Sequence, residues 1–402
     1  MIELQQRIKS LSASQFEKLQ TIRRYLHQHP EISFEEVNTS RYIQEQLSSV
    51  GIPFTTGHVK TGIIALIAGK NPSKKTLLLR ADMDALPIEE KNDVVYRSKN
   101  PGLMHACGHD VHSTVALGAA FILNELKNEF EGTVKIMFQP GEEVLPGGAG
   151  LMIKEGVLKN PKVDKAIALH VYPEMEAGKA GFRKGMYMAS TDELYITVNG
   201  KGGHAAMPER YTNPLIAASA ILLAIQSAFM QNTTTNVKGE HIPTVVAFGK
   251  IEAKGATNVI PDKVELAGTF RTMNEVWRAE VHQKLKDLVD KKAGEYGCTA
   301  IVRIEKGYPF LVNEPEFTEK CIQAAREFLG SGRVEELPLR MTAEDFAFIT
   351  QEVPSCFYRL GTGNQARGIT SGVHTATFDI DESALQTGSG LMAWLAISEL
   401  NS

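Results

Sequence analysis

Apolar positions along this 402-residue chain change rhythm twice. From Gln5 to Gln28 the spacing predicts one or two helices, ended by His27-Gln28-His29-Pro30 because the residue before a proline is pushed out of the helical region. Three strand-like runs follow and end alike: Thr76-Leu77-Leu78-Leu79 enters Arg80-Ala81-Asp82-Met83-Asp84, Val134-Lys135-Ile136-Met137-Phe138 enters Gln139-Pro140-Gly141-Glu142-Glu143, and Ala166-Ile167-Ala168-Leu169 enters His170. Between the first two lies a helical repeat, Val115, Ala119, Ile122, Leu123 and Leu126, with Asp110 as its expected N-cap. This order predicts an α/β fold with a mostly parallel, buried sheet and helices on both faces. Ligands of such sheets bind beyond the carboxyl ends of the strands, where each run delivers acids or an imidazole.

After Gly181 apolar and polar residues alternate, as in Leu194, Ile196 and Val198 and again in Val264, Leu266, Gly268 and Phe270, which predicts antiparallel strands with one covered face. A helix capped by Asn213 and opened by Pro214 runs to Met230, a strand spans Thr244 to Ile251, a second helix runs from Glu275 to Tyr296, and a last strand covers Ala300 to Ile304. Thr233-Thr234-Thr235 reads as a short loop. The order β-α-β-β-α-β is that of a ferredoxin-like α+β unit of about 125 residues. It reads as a lid, residues 182–306, inserted between residues 1–181 and 307–402 of the catalytic domain. Its helix-free face or an edge strand is available to pair with a second subunit.

The chain then regains its first rhythm, with a helix from Phe317 to Leu329, a strand from Cys356 to Leu360 and a final helix from about Asp381 to Leu400. Thr342-Ala343-Glu344-Asp345 reads first as a capped helix start, its acids reaching the crevice being the alternative. His374 lies between a Gly-rich loop and an expected strand.

Chemistry concentrates in Met104-His105-Ala106-Cys107-Gly108-His109-Asp110-Val111-His112, which holds three of the eleven histidines and one of the four cysteines. Cys107 and His109, two apart, face one side if the segment is extended, with Gly108 allowing close approach. A thiolate and an imidazole aimed at one point form half of a transition-metal site. The competing reading puts His105, His109 and His112 on one helical face. Gly108 opposes a helix there, so Cys107 and His109 are placed on a loop entering one. Of Glu142 and Glu143, adjacent and pointing opposite ways, one is expected to coordinate and the other to act as general base. Asp82 and Asp84 are open to two roles, as ligands or as groups that orient a ligating imidazole. Arg80 offsets part of this charge. His27 and His29 read as surface residues or as groups behind the ligands. His204 stands in the glycine-rich Gly202-Gly203-His204-Ala205-Ala206-Met207-Pro208, either to stabilise an oxyanion or as a solvated loop residue.

Composition narrows the class. A net charge of −4 gives no reason to expect a nucleic-acid partner. The first thirty residues carry charges without an apolar run, so neither a signal peptide nor a membrane span is expected. Cys107, Cys298, Cys321 and Cys356 form no C-x-x-C pair, which fits a reducing, cytoplasmic setting.

Seven motifs in register, RADMDALP, MHACGHD, QPGEE, LHVYP, GGHAAMP, TNVIP and the late His374, make the chain resemble the amidohydrolase branch of the aminoacylase and zinc-carboxypeptidase superfamily. That branch contains auxin amino-acid conjugate hydrolases, hippurate hydrolases and N-acyl-amino-acid deacylases. The resemblance implies two divalent metal ions (zinc, manganese, cobalt or nickel) bridged by Cys107 and completed by His109, Glu143, His170 and His374, with Glu142 as base. Relatives elsewhere in the superfamily have a His at the position of Asp82 and an Asp at that of Cys107, so the ligand set shifts toward Cys107 and His109 and away from Asp82. It further implies that His204 acts in its own subunit or in that of the partner in a homodimer formed through the lid, and that Asn258 and Arg271 contact substrate. The expected reaction is hydrolysis of the amide of an N-acyl amino acid. The alternatives are a metal dipeptidase or carboxypeptidase using the same site, or an inactive relative that only binds a ligand.

Overall fold

The structure, a computed structural model, describes residues 2–230, 234–237 and 240–402. The chain divides into two compact units: Met1–Gly185 with Val312–Pro338 and Asp345–Ser402, and Met186–Leu311 with Leu339–Glu344.

The first unit is built on an eight-stranded sheet. Its centre is parallel: Thr76–Asp82 pairs with Thr133–Gln139 on one side and Lys165–Glu176 on the other, and Lys165–Glu176 pairs with Ser355–Gly363. Antiparallel partners extend it, with Gly62–Ala68 on Thr133–Gln139 and Ala180–Phe182 on Ser355–Gly363. Every residue of Thr76–Asp82, Thr133–Gln139 and Ser355–Gly363 is buried, as expected of parallel strands covered on both faces. The cover includes the helices Ile2–Ser14, Phe16–Gln28, His109–Glu125 and Ser383–Leu400, whose apolar side chains share one core with the sheet. His109–Glu125 is buried from His109 to Leu123, so its apolar rhythm has no solvent side.

In the second unit the strands stand in the order Glu240–Ala253, Lys263–Thr272, Asp192–Asn199, Thr299–Lys306, all antiparallel, which is the ferredoxin-like arrangement. The helices Pro214–Ile225 and Glu275–Glu295 cover one face through Ala217, Ile221, Trp277, Val281 and Leu285 against Leu194, Ile196, Val264 and Phe270. Asn213 and Asn274 cap them through their side chains. Of the expected threonine loop, Thr233 lies outside the described residues. Thr234 and Thr235 instead open a strand, Thr234–Val237, paired with Glu240–Ala253, a place that suits β-branched residues.

Candidate functional site

The donors of the first unit are set by local backbone geometry. Gly108 sits at φ +82°, so the chain turns between Cys107 and His109 on the expected loop entering a helix, with a left-handed bend and not an extended pair of residues at its end. A Cβ at Gly108 would lie 2.7 Å from Val171, so the turn requires glycine on both counts. Gly108 is also the N-cap, and His109 opens the helix. Asp110, the expected cap, lies inside the first turn because its carboxylate is engaged by Arg23 at 2.9 Å and His27 at 2.8 Å. His27 is accordingly buried, not a surface residue, with Glu90 at 3.3 Å on its other nitrogen. His170 lies within its strand, not past its end, because Ser355–Gly363 continues the ladder through Arg359↔His170 and Leu360↔Val171. His374, at φ +61°, hangs from Ala106 by its N–H (2.7 Å) and is followed by turns where a strand was expected.

These segments bring five donors together. Cys107 Sγ lies 3.3 Å from His170 Nε2 and 3.2 Å from His374 Nε2. Glu143 Oε1 lies 3.4 Å from His374 Nε2 and 3.8 Å from His109 Nε2. The atoms form two overlapping triads, Cys107 with His109 and His170, and Cys107 with Glu143 and His374. Such separations match the roughly 3.5 Å that tetrahedral bonds of about 2.0–2.3 Å to a shared cation impose. Glu142 joins His109 and Glu143 at the rim of this group, and its Oε1 accepts the Asp345 N–H at 3.4 Å.

The rings are aimed by what holds them. His109 Nδ1 meets Asp84 Oδ1 at 3.1 Å and His170 Nδ1 donates to the Val171 carbonyl at 2.8 Å, which leaves both Nε2 atoms as donors toward a metal. His109 Nε2 and Glu143 Oε1 are buried without a hydrogen-bond partner. Burying such atoms unpaired is costly, and a borderline-soft divalent cation satisfies this mixture of thiolate, imidazole and carboxylate. The residues therefore fit a metal pair. His112 does not join them: Nδ1 meets Asp82 at 2.6 Å and Nε2 accepts the Val171 N–H at 2.9 Å. Asp82 is engaged likewise, by His112 and by Arg80 at 2.6 Å, so the imidazole it holds is not one of the five donors. Asp84 divides its second oxygen between the Glu143 N–H and Ser33.

Burial and neighbouring charge set the protonation of these groups. Burial alone would lower His109, but Asp82, Asp84 and Glu143 outweigh it and push the imidazole up to about 10. Burial, then Glu143, Glu142 and Asp82, drives the Cys107 thiol well above its ordinary value. His170 is held well below its ordinary value by burial and then by Arg359. The centre carries more acid than its neighbours neutralise, which favours a cation there.

Thr342-Ala343-Glu344-Asp345 does not start a helix, which begins at Ala347. Asp345 is instead buried under the centre, where it accepts from Arg80 (2.7 Å), Gln139 (2.7 Å) and the Ala149 N–H (3.0 Å). A buried carboxylate facing a buried guanidinium loses too much if exposed at a cap.

In the second unit the two loops singled out from the sequence pair with each other: Val259 is opposite His204 and Ile260 opposite Gly203, and Ala205 N–H donates to the Asn258 carbonyl at 3.1 Å. His204 is exposed and its Nδ1 accepts the Ala206 N–H at 3.1 Å, so the neutral ring carries its proton on Nε2. Arg271 is half-buried and donates to the Met341 carbonyl at 3.2 Å.

Comparison with known proteins adds the ancestry. The model of peptidase family M20/M25/M40 matches residues 78–397. This chain belongs to that family. Among M20 relatives, it is 36% identical over 388 residues to the N-acetyl-L-cysteine deacetylase of Bacillus subtilis, covering 96% of this chain and 89% of the relative. It is 37% identical over 383 residues to thermostable carboxypeptidase 2 of Saccharolobus solfataricus, covering 94% and 95%. Its fold matches the crystal structure of the YXEP protein of Bacillus subtilis, described as a dinuclear metal-binding peptidase of the M20 family, with a TM-score of 0.82 and 32% identity over 96% of this chain and 99% of that one. The M20 chain thus shares its fold and hydrolase family with enzymes of both kinds weighed from its motifs.

Proposed function

We propose that this M20 hydrolase cleaves the amide bond of N-acyl amino acids, such as N-acetyl or N-benzoyl conjugates, releasing an amino acid and a carboxylic acid. The observation that carries the reading is the convergence of Cys107, His109, Glu143, His170 and His374 with Glu142 beside them. The five donors would hold two divalent cations, zinc, manganese, cobalt or nickel by donor type, which would supply Lewis acidity and a water of lowered pKa, toward about 7. Glu142 takes the proton of the attacking water and returns it to the leaving nitrogen. His204 donates its Nε2–H to the carbonyl oxygen as charge develops there. Asn258 and Arg271 bind the amino-acid portion. Residues 182–306 act as lid and dimerisation domain. Homodimerisation through it is supported by Ile251 and Ile301, 54% and 65% exposed on strands of the second unit, Ile301 on the edge strand Thr299–Lys306.

The carboxypeptidase among the relatives keeps a second reading open, cleavage of free peptides at the same centre. A panel of N-acetyl and N-benzoyl amino acids, assayed beside the matching dipeptides after loading with each metal, separates the two. Turnover of the acylated series is expected. Preference for dipeptides would replace this reading with the second, and turnover of neither would leave a ligand-binding relative. Among the described residues no helix is long and apolar enough to cross a membrane.

A further inference from the structure

Glu142 and Glu143 leave the sheet through a turn whose direction is not set by the turn alone. Pro140 has no N–H, and Gly141 adopts φ +62°, with the Phe34 ring so close that a Cβ would lie 2.4 Å from it. The N–H groups on either side of Glu142 are both taken by buried carboxylates. The Glu143 N–H goes to Asp84 Oδ2 at 2.9 Å, and the Gly141 N–H goes to Glu36 Oε1 at 2.8 Å.

Glu36 stands 105 positions before Gly141 and outside every motif described above. It is fully buried. Its Oε1 also accepts the Phe34 N–H at 2.8 Å, which fixes the loop that lays the Phe34 ring on Gly141, and its Oε2 accepts the Thr61 hydroxyl at 2.7 Å. The same loop sends Ser33 to Asp84 at 2.7 Å. One short segment after the second helix thus braces both carboxylates that grip the Glu142–Glu143 backbone. Glu36 touches neither the donors nor any reacting atom.

We propose that Glu36 is a positioning residue of the hydrolytic centre: by accepting the Gly141 N–H it sets the direction in which Glu142 and Glu143 project. The proposal rests on the functional reading above. Without this acceptor the buried Gly141 N–H is unpaired, and the turn relieves that only by moving. A shift near 1 Å in a base or ligand costs about 10²-fold in rate, and losing a group that orients ligands costs about 10–100-fold in metal affinity.

The test compares the parent with E36A, E36Q and E36D as full-length, metal-loaded protein. Glutamine keeps an oxygen for both N–H groups, alanine removes it, and aspartate withdraws it by one methylene. Two readouts are taken: zinc affinity by chelator competition, and kcat and KM on an N-acetyl amino acid. E36A is expected to lose about 10–100-fold in zinc affinity and, at saturating zinc, about 10²-fold in kcat with KM moved much less. E36Q is expected to stay within about fivefold of the parent in both. If E36A does not fold, E36D takes its place with the same expected direction. Parent-like values in E36A, or in E36D where it substitutes, overturn the proposal. So does an E36Q that falls as far as the truncated variant, since charge and not the acceptor would then matter. A parent without turnover would sink the functional reading while the zinc comparison still decides the role of Glu36.

Discussion

Cys107 Sγ and His374 Nε2 lie 3.2 Å apart across 267 positions of sequence. His374 also faces Glu143 at 3.4 Å, and Cys107 also faces His170 at 3.3 Å. The thiol is therefore the point at which the donor triads overlap, and the consequences below follow from that arrangement.

Glu142 is the group proposed to carry protons. In E142Q, turnover of an N-acyl amino acid is expected to fall about 10²–10⁴-fold, the range of a lost general base. Elemental analysis should find the metal content of the parent. A matched loss of metal and activity would make Glu142 a ligand.

Asp84 orients His109 through Nδ1 and holds Glu143 by its backbone N–H. D84A removes both constraints and is expected to weaken zinc binding about 10–100-fold. Chelator competition measures this, and an affinity equal to that of the parent would mean that the two donors are fixed by other contacts.

Metal binding should release protons. In the metal-free chain the Cys107 thiol lies well above its ordinary value and the His109 imidazole at about 10, so both are protonated near neutrality. Both must lose that proton to ligate, so about two protons per chain should appear on loading near pH 7. Affinity should fall as pH falls. A weakly buffered titration with an indicator dye reads the release, and pH-independent binding between about pH 6 and 8 would contradict the assigned ligands.

Glu36 gives a separate pH signature in the metal-free protein. Burial, reinforced by Asp84 against the hydroxyl of Thr61 and local N–H groups, raises its carboxyl from 4.5 to about 7. Stability from this group is therefore complete below pH 4.5 and lost as pH rises through about 7. E36Q does not titrate and should flatten that slope, with a gain over the parent near pH 8 of about 3 kcal/mol. Thermal melts across this range check it, and parallel curves for the two proteins would refute it.

Much of this architecture is legible in the sequence because apolar period and strand-end acids are local signals. Thr133–Gln139 stands where its run predicts, Thr76–Asp82 continues past its apolar run to take in Asp82, and the strands of the second unit alternate as read. What escaped is what the partner segment decides. His170 lies inside a strand because Ser355–Gly363 pairs beyond it, and Asp110 is no cap because Arg23, from a different helix, claims it. Asp345 looks like a helix start until Arg80 meets it at 2.7 Å. Glu36 carries no spacing that points to Gly141, since the bond between them exists only once the sheet is assembled. The Gly108 turn has a signal, an isolated glycine between two donors, which marks the loop before the helix but does not by itself distinguish a left-handed bend from an extended close approach.

The most direct test is the metal stoichiometry of the parent and of C107A, measured by elemental analysis after equilibrium dialysis against zinc. Two ions per chain are expected in the parent, and at most one in C107A with a large loss of affinity for it, because the shared thiolate is gone. A parent that binds none, or a C107A that retains both with unchanged affinity, would contradict a centre organised around Cys107.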